Sequence, residues 1–308
     1  MKAPRLILAI FISVICLCET LHAQMITDTV MQPPDSLIVL KKRPKTSHLE
    51  AAMSYQSNDV YLGRKDSSVL PYYIPAVSYY HKSGLYTSAS LSYLKNSTDS
   101  RIDLVTLEAG YMFSAGKYDG QFSISKFFYN SQSTSVTSEV KASAAYQNSY
   151  DLGFIKMTFT GTLNVGSKLD FAGLFGFEHD FPLLDDKLEF TPTFAATAST
   201  QNYYSDYYRK RRYSIKRKGQ KAQTGVASIT GTVLNASTFK LLDFEPTLPV
   251  SYTIGKCTIN FTPTYAIPVN PATIAVHTVR ENGIVLDKTR QEKIENSFFW
   301  TLGVSFLF

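Results

Sequence analysis

The chain has 308 residues, a formal charge of +6 and 13% aromatic residues, with 20 Tyr, 20 Phe and a single Trp. Two of its three cysteines, Cys16 and Cys18, fall in an N-terminal leader and leave Cys257 alone, which excludes a disulfide scaffold and a zinc site built on thiolates. Beyond the leader no stretch approaches the ~18 continuous apolar residues of a membrane helix, so a helical membrane protein is excluded as well.

Residues 1–23 read as a secretory signal peptide: Lys2 and Arg5 precede an apolar run from Leu6 to Leu17, and Leu21-His22-Ala23 is a small-residue cleavage site. Residues 24–47 are polar, carry Pro33-Pro34 and the basic residues Lys41, Lys42, Arg43 and Lys45, and read as a flexible N-terminal segment on the periplasmic side. Within it, Asp28-Thr29-Val30 and Asp35-Ser36-Leu37 resemble short bacterial glycosylation triplets, with Thr29 and Ser36 as acceptors.

From His48 to Phe308 the sequence alternates. In 85–93, Leu85, Ala89, Leu91 and Tyr93 oppose Ser88, Ser90 and Ser92; in 103–113, Val105, Leu107, Ala109, Tyr111 and Phe113 oppose Thr106, Glu108 and Gly110. Segments 153–163, 242–254 and 257–267 repeat the pattern, and in the first of them Ile155, Met157, Phe159 and Leu163 oppose Lys156, Thr158, Thr160 and Thr162. Period-two alternation marks strands whose two faces meet different surroundings. The polar phase is mostly Ser, Thr, Gly and Asn, where a soluble sandwich would place Lys and Glu. Small hydroxyls inside and bulky apolar groups outside predict an all-β fold, a transmembrane antiparallel barrel with a polar lumen. Twelve strands are predicted, near 49–62, 71–81, 85–95, 102–114, 120–130, 138–148, 153–164, 170–180, 187–202, 239–254, 257–268 and 294–308. An even count puts both termini on the periplasmic side, and it makes 203–238 and 269–293 long outer loops. Pro192, Pro246, Pro249, Pro263 and Pro268 cluster on three consecutive predicted strands, and each withdraws a ladder donor there.

The final stretch, FFWTLGVSFLF, keeps Trp300, Leu302, Val304, Phe306 and Phe308 in one phase. It resembles the C-terminal signature of outer-membrane proteins, which implies the barrel-assembly machinery as a partner in biogenesis. LDFEPTLPVSYTIGK (242–256), NFTPTYAIPVNP (260–271) and ENSFFWTLGVSFLF (295–308) resemble the C-terminal third of barrels from Bacteroidota-type bacteria. That resemblance implies a location, the outer membrane, and no mechanism.

One loop stands apart. YYSDYYRKRRYSIKRKGQK (203–221) carries Arg209, Lys210, Arg211, Arg212, Lys216, Arg217, Lys218 and Lys221 among five tyrosines. Basic residues between aromatics suit anionic ligands, but an outer loop of this kind also meets the phosphates of lipopolysaccharide and outer-membrane lipids; nucleic acid is not expected. With these residues and the 41–45 run set aside, the chain after the leader is net acidic. Strand phase places Glu108, Glu178, Glu189, Asp243 and Glu245 in the lumen. The loop, or a short constriction helix within 222–236 built on Val226, Ile229, Val233 and Leu234, is expected to fold inward onto them.

Neither an enzyme nor a cofactor is expected. His48, His81 and His179 fall at the periplasmic rim, and His277 lies in an outer loop with no acidic orienter evident in the sequence. No nucleotide loop, HExxH or clustered metal-ligand pattern occurs. The expected function is a narrow passive channel for small solutes, its mouth narrowed by loop 203–238. The alternative is a closed barrel that binds or scaffolds partners through its outer loops. Mass spectrometry of the exported protein should give the bare mass of 24–308; a retained leader contradicts the signal peptide, and added mass on Thr29 or Ser36 would reveal glycosylation.

Overall fold

The computed structural model describes residues 40, 42–96, 100–211 and 226–308. The predicted signal peptide, most of the 24–47 segment and the basic residues Arg212, Lys216, Arg217, Lys218 and Lys221 lie outside the described residues. In chain order the elements are β1 (His48–Gln56), β2 (Val60–Tyr61), β3 (Arg64–Lys65), β4 (Tyr72–Tyr80), β5 (Leu85–Lys95), β6 (Ser100–Ala115), β7 (Tyr118–Tyr129), β8 (Ala142–Asp151), β9 (Lys156–Val165) and β10 (Leu169–Glu178). There follow β11 (Phe181–Leu183), β12 (Leu188–Phe190), β13 (Thr193–Ser199), the helix α1 (Asn202–Arg211), β14 (Val226–Val233), β15 (Lys240–Thr247), β16 (Val250–Ile254), β17 (Cys257–Pro268), β18 (Thr273–Arg280), β19 (Val285–Gln291) and β20 (Ser297–Leu307).

Twelve of these strands close a barrel in the order β1-β4-β5-β6-β7-β8-β9-β10-β13-β15-β17-β20, with β20 returning to β1. Closure uses the chain end itself: Phe308 N donates to Leu49 O at 2.8 Å, and Leu49 N donates to Phe308 O at 3.3 Å. Both termini of the wall therefore sit at one end, the terminal end. The connections there are tight, as at Gly84, where φ is +100° and a Cβ would fall 2.0 Å from Met112 O. A non-glycine residue there would clash with backbone as well as strain. Residues 57–71, 130–141, 200–211, 226–239 and 269–296 lie at the opposite, loop end.

The wall is inverted relative to a soluble barrel. On β20, Thr301 and Ser305 are buried inside, whereas Leu302 is 45% exposed. On β5, Ser88, Ser90 and Ser92 are buried and Leu85 is exposed. Exposed aromatics form two girdles: Tyr79, Tyr111, Tyr150 and Phe181 at the terminal end, Tyr73, Phe128, Phe171 and Phe298 at the loop end. An apolar belt between aromatic girdles is the outside of a membrane-spanning barrel. Inside, the Tyr86 ring lies against Gly110, its register partner, where a Cβ would approach the ring to 2.5 Å.

Departures from the expected strands have local causes. The predicted strand 187–202 is split into β12 and β13 around Thr191-Pro192, and 239–254 is split into β15 and β16 around Leu248-Pro249. β11, β12 and β16 extend the wall at the terminal end. Among the described residues of 222–236 no constriction helix forms: Val226–Val233 is β14, paired with β18 outside the wall, because its β-branched residues favour a strand. Leu242, expected on the lipid face, is 0% exposed, because a bulge opposite Thr197 and Ala198 turns it inward.

Leu302→Arg should destabilise the refolded protein by about 2–4 kcal/mol in lipid vesicles, the cost of a cation near the hydrocarbon midplane. Leu286→Arg, at the same 45% exposure but on β19 beyond the wall, should stay within about 0.5 kcal/mol. Denaturant titration of both variants checks this, and equal effects would place no lipid against β20.

Candidate functional site: an occluded barrel mouth

The loop end of the barrel is filled. Tyr203, Tyr204, Tyr207 and Tyr208 on α1 are each 1–3% exposed and pack with Tyr61, Leu62, Leu104, Phe127, Val136, Leu242 and Ile274. Their spacing on the helix, i, i+1, i+4, i+5, puts all four on one face. Each buried ring contributes about 1.5–3 kcal/mol to that packing. The Tyr204 and Tyr207 rings stack at 5.7 Å and 4°.

Polar anchors hold the plug. Asp170, at the head of β10, caps α1: its carboxylate accepts from Asn202 N and Tyr203 N, both at 2.7 Å, and from the Thr200 hydroxyl at 2.6 Å. It satisfies orphan amides and meets the positive end of the helix dipole. The Tyr207 hydroxyl donates to Asp66 at 3.0 Å, and the Tyr204 hydroxyl donates to Glu292. Burial and the Glu292 carboxylate hold the Tyr204 phenol protonated, well above its ordinary range.

Arg64, in the β2–β3 hairpin, is 2% exposed. Its Nη1 donates to the carbonyls of Leu62 at 2.8 Å and Leu242 at 3.0 Å, its Nη2 to those of Val269 and Asn270 at 3.3 Å. Its Nε lies 3.7 Å from Glu292. One guanidinium thus ties the hairpin, the top of β15, the exit of β17 and the segment after β19. At the same end of the barrel Asp103 accepts from Tyr72 at 2.6 Å, Ser133 at 2.7 Å and Arg101 at 2.8 Å. A polar cavity of about 380 Å³ opens between the hairpin, α1 and residues 290–295.

Of the acids named from sequence, Asp243 lies at the mouth, its carboxylate against Gly63 of the hairpin, and the others fall elsewhere on the barrel. Glu108 accepts from Tyr86 and Ser125, both at 2.7 Å. Glu178 lies 3.7 Å from the Lys156 ammonium, which also pairs with Asp180; the Thr191 hydroxyl reaches Glu189 at 3.3 Å. Asp243 and Glu245, 1% and 7% exposed, stand one above the other on β15. Of the basic loop, Arg209 is described: it pairs with Asp206 of its own helix at 2.8 Å and is not drawn to the lumen acids. Among the described residues of 203–238, the part that folds inward is the tyrosine face. His277, read as lacking an orienter, has Asp287 at 2.6 Å across the β18–β19 ladder, a pairing no sequence pattern announces.

No protein-family model matches the chain, and none of the curated proteins matches it. Among solved structures it is similar to an outer membrane channel from Pseudomonas putida F1, at 9% identity and a TM-score of 0.46, over 86% of this chain and 96% of that one. It is also similar to the outer membrane channel DcaP of Acinetobacter baumannii, at 9% identity and a TM-score of 0.31, over 87% and 99% of the two chains. Likenesses this distant decide neither substrate nor activity.

The plug carries its own pH dependence. Burial, and then the neighbouring Asp103 and Asp66 charges, push the Asp59 carboxyl up to about 6, against a stabilising contact from Ser135. A raised folded-state value makes the contribution of Asp59 full below its ordinary pKa and lost as pH rises through about 6. Protection of the α1 amides, taken relative to the intrinsic exchange rate at each pH, should therefore be greater at pH 4.5 than at pH 7.5, and Asp59→Asn should flatten the difference. Asp170→Ala should speed that exchange at both pH values, by the roughly 1 kcal/mol of a lost cap.

Proposed function

We propose that this protein is an outer-membrane channel for small cations, closed at its outer mouth by the α1 plug. The carrying observation is the charge of the interior. Among the described residues nine acids are buried (Glu50, Asp59, Asp66, Asp103, Asp170, Glu178, Asp206, Asp243 and Glu245) and one base, Arg64. Such an interior attracts cations and repels anions. The belt of exposed apolar residues supports residence in a bilayer, and the predicted leader supports export to the outer membrane. In this reading the termini face the periplasm and the loop end, which carries Arg209, faces outward, where lipopolysaccharide phosphates would meet it. The barrel-assembly machinery would read the closing strand, with its outward Trp300, Leu302, Val304, Phe306 and Phe308. The resemblance of the last third to Bacteroidota-type barrels agrees with that location.

The plug keeps the second reading alive: a mouth that never opens would make the barrel an anchor for surface loops. Single-channel recording in planar bilayers separates the two. The wild type should show a small, potassium-over-chloride-selective conductance, enlarged several-fold in Tyr204→Ala/Tyr207→Ala. Silence from both, with folding shown by heat-modifiable electrophoretic mobility, would contradict a channel.

A further inference from the structure

The β15–β17 seam is the thinnest part of the barrel wall. β17 pairs with β20 at ten consecutive positions but with β15 at three: Asp243 with Pro268, Phe244 with Ile267 and Thr247 with Thr264. Below the gap the ladder resumes, as β16 pairs with β17 from Val250–Phe261 to Ile254–Cys257. The lapse at 245–246 has a chemical cause. Leu248 N donates to Pro263 O at 3.1 Å, so on this strand even-numbered amides face β17. Pro246 shares that parity, and Pro263 faces the seam from the other side. Two donors are thus missing from one short stretch of wall, and neither side can supply them by a small shift.

Above the lapse the seam is clasped. Val269 N donates to Leu242 O at 2.8 Å, and Arg64 donates to Leu242 O and Val269 O, one carbonyl on each side of the seam. Inside the thin stretch lie Asp243 and Glu245; outside it, Leu248 and Tyr265 are 43% and 42% exposed. A polar, acidic interior and an apolar exterior are therefore separated by a wall that lacks part of its ladder.

We propose that this stretch is a lateral window between lumen and bilayer, and that its ligand is a cationic amphiphile. The ammonium head would sit against Asp243 and Glu245 while the alkyl tail passes between Pro246 and Pro263 into the hydrocarbon. The head is matched by charge and the tail by the solvent outside. The inference rests on the barrel spanning the membrane and on its acidic interior, but not on ion conduction.

The single tryptophan reports on the window, because Trp300 is the register partner of Pro263. The probe is 12-bromododecyltrimethylammonium, whose bromine quenches indole fluorescence, titrated into full-length protein in phosphatidylcholine vesicles. A window stapled by Thr247→Cys/Thr264→Cys in a Cys257→Ser background can be closed by oxidation, since 247 and 264 are directly opposed non-hydrogen-bonded positions with close Cβ atoms. Saturable quenching is expected in the wild type and the reduced staple. Its midpoint should move at least tenfold to higher probe concentration on oxidation, and again in Glu245→Gln, with reductant restoring the stapled protein. Linear quenching, unaffected by the staple or by Glu245→Gln, would mean simple partition into lipid and would overturn the window. Potassium conductance, recorded in parallel, should survive oxidation; its absence alone would count against the channel and not against the window.

Discussion

A backbone that crosses hydrocarbon finds no water to satisfy its amides and carbonyls, so each must be paired within the wall. The rest of this structure depends on that constraint. It requires the barrel to close, which is why the last residue, Phe308, exchanges hydrogen bonds with Leu49. It requires the strands to present apolar side chains outward, which leaves the small hydroxyls of Ser88, Thr301 and Ser305 to line the interior. It also makes Pro246 on β15 and Pro263 and Pro268 on β17 conspicuous, because each removes a donor where donors cannot be replaced.

The mouth is governed by the opposite economy. There the chain folds back on itself and buries charge. Asp170, Asp66 and Glu292 each hold a group of the plug, Asp103 gathers Tyr72, Ser133 and Arg101, and Arg64 gathers four carbonyls. Removing a buried guanidinium that holds four carbonyls and faces Glu292 costs on the order of 3–5 kcal/mol, enough to make the closed mouth a defined state. The tyrosines supply the bulk, and the acids supply the register in which α1 docks.

Much of the wall was legible in the sequence because its period is two and its two solvents differ. Twelve strands, tight terminal turns and the inward phase of Ser88, Thr106 and Thr301 all follow from alternation alone. What alternation cannot show is an insertion that leaves the wall. Leu242 was misplaced because a bulge shifts phase by one residue, and β14 was misread as helix because Val226, Ile229 and Val233 fall at helical spacing, although their β-branched side chains favour a strand. The plug was half legible: YYSDYY carries helical spacing, but the adjacent arginines and lysines drew attention to charge and away from the aromatic face. Arg64, Asp66, Asp103, Asp170 and Glu292 gave no local signal, since each finds its partner across long separations in the chain.

The central claim is that the wall is inside out. Single cysteines at 301, 303 and 305, and at 302, 304 and 306, in a Cys257→Ser background can be spin-labelled in lipid vesicles. Relaxation by oxygen, which concentrates in hydrocarbon, and by a water-soluble nickel complex then reads the surroundings of each position. The structure predicts oxygen access at 302, 304 and 306 and low oxygen access at 301, 303 and 305. A set of profiles without that two-residue period, or with it reversed, would contradict the account.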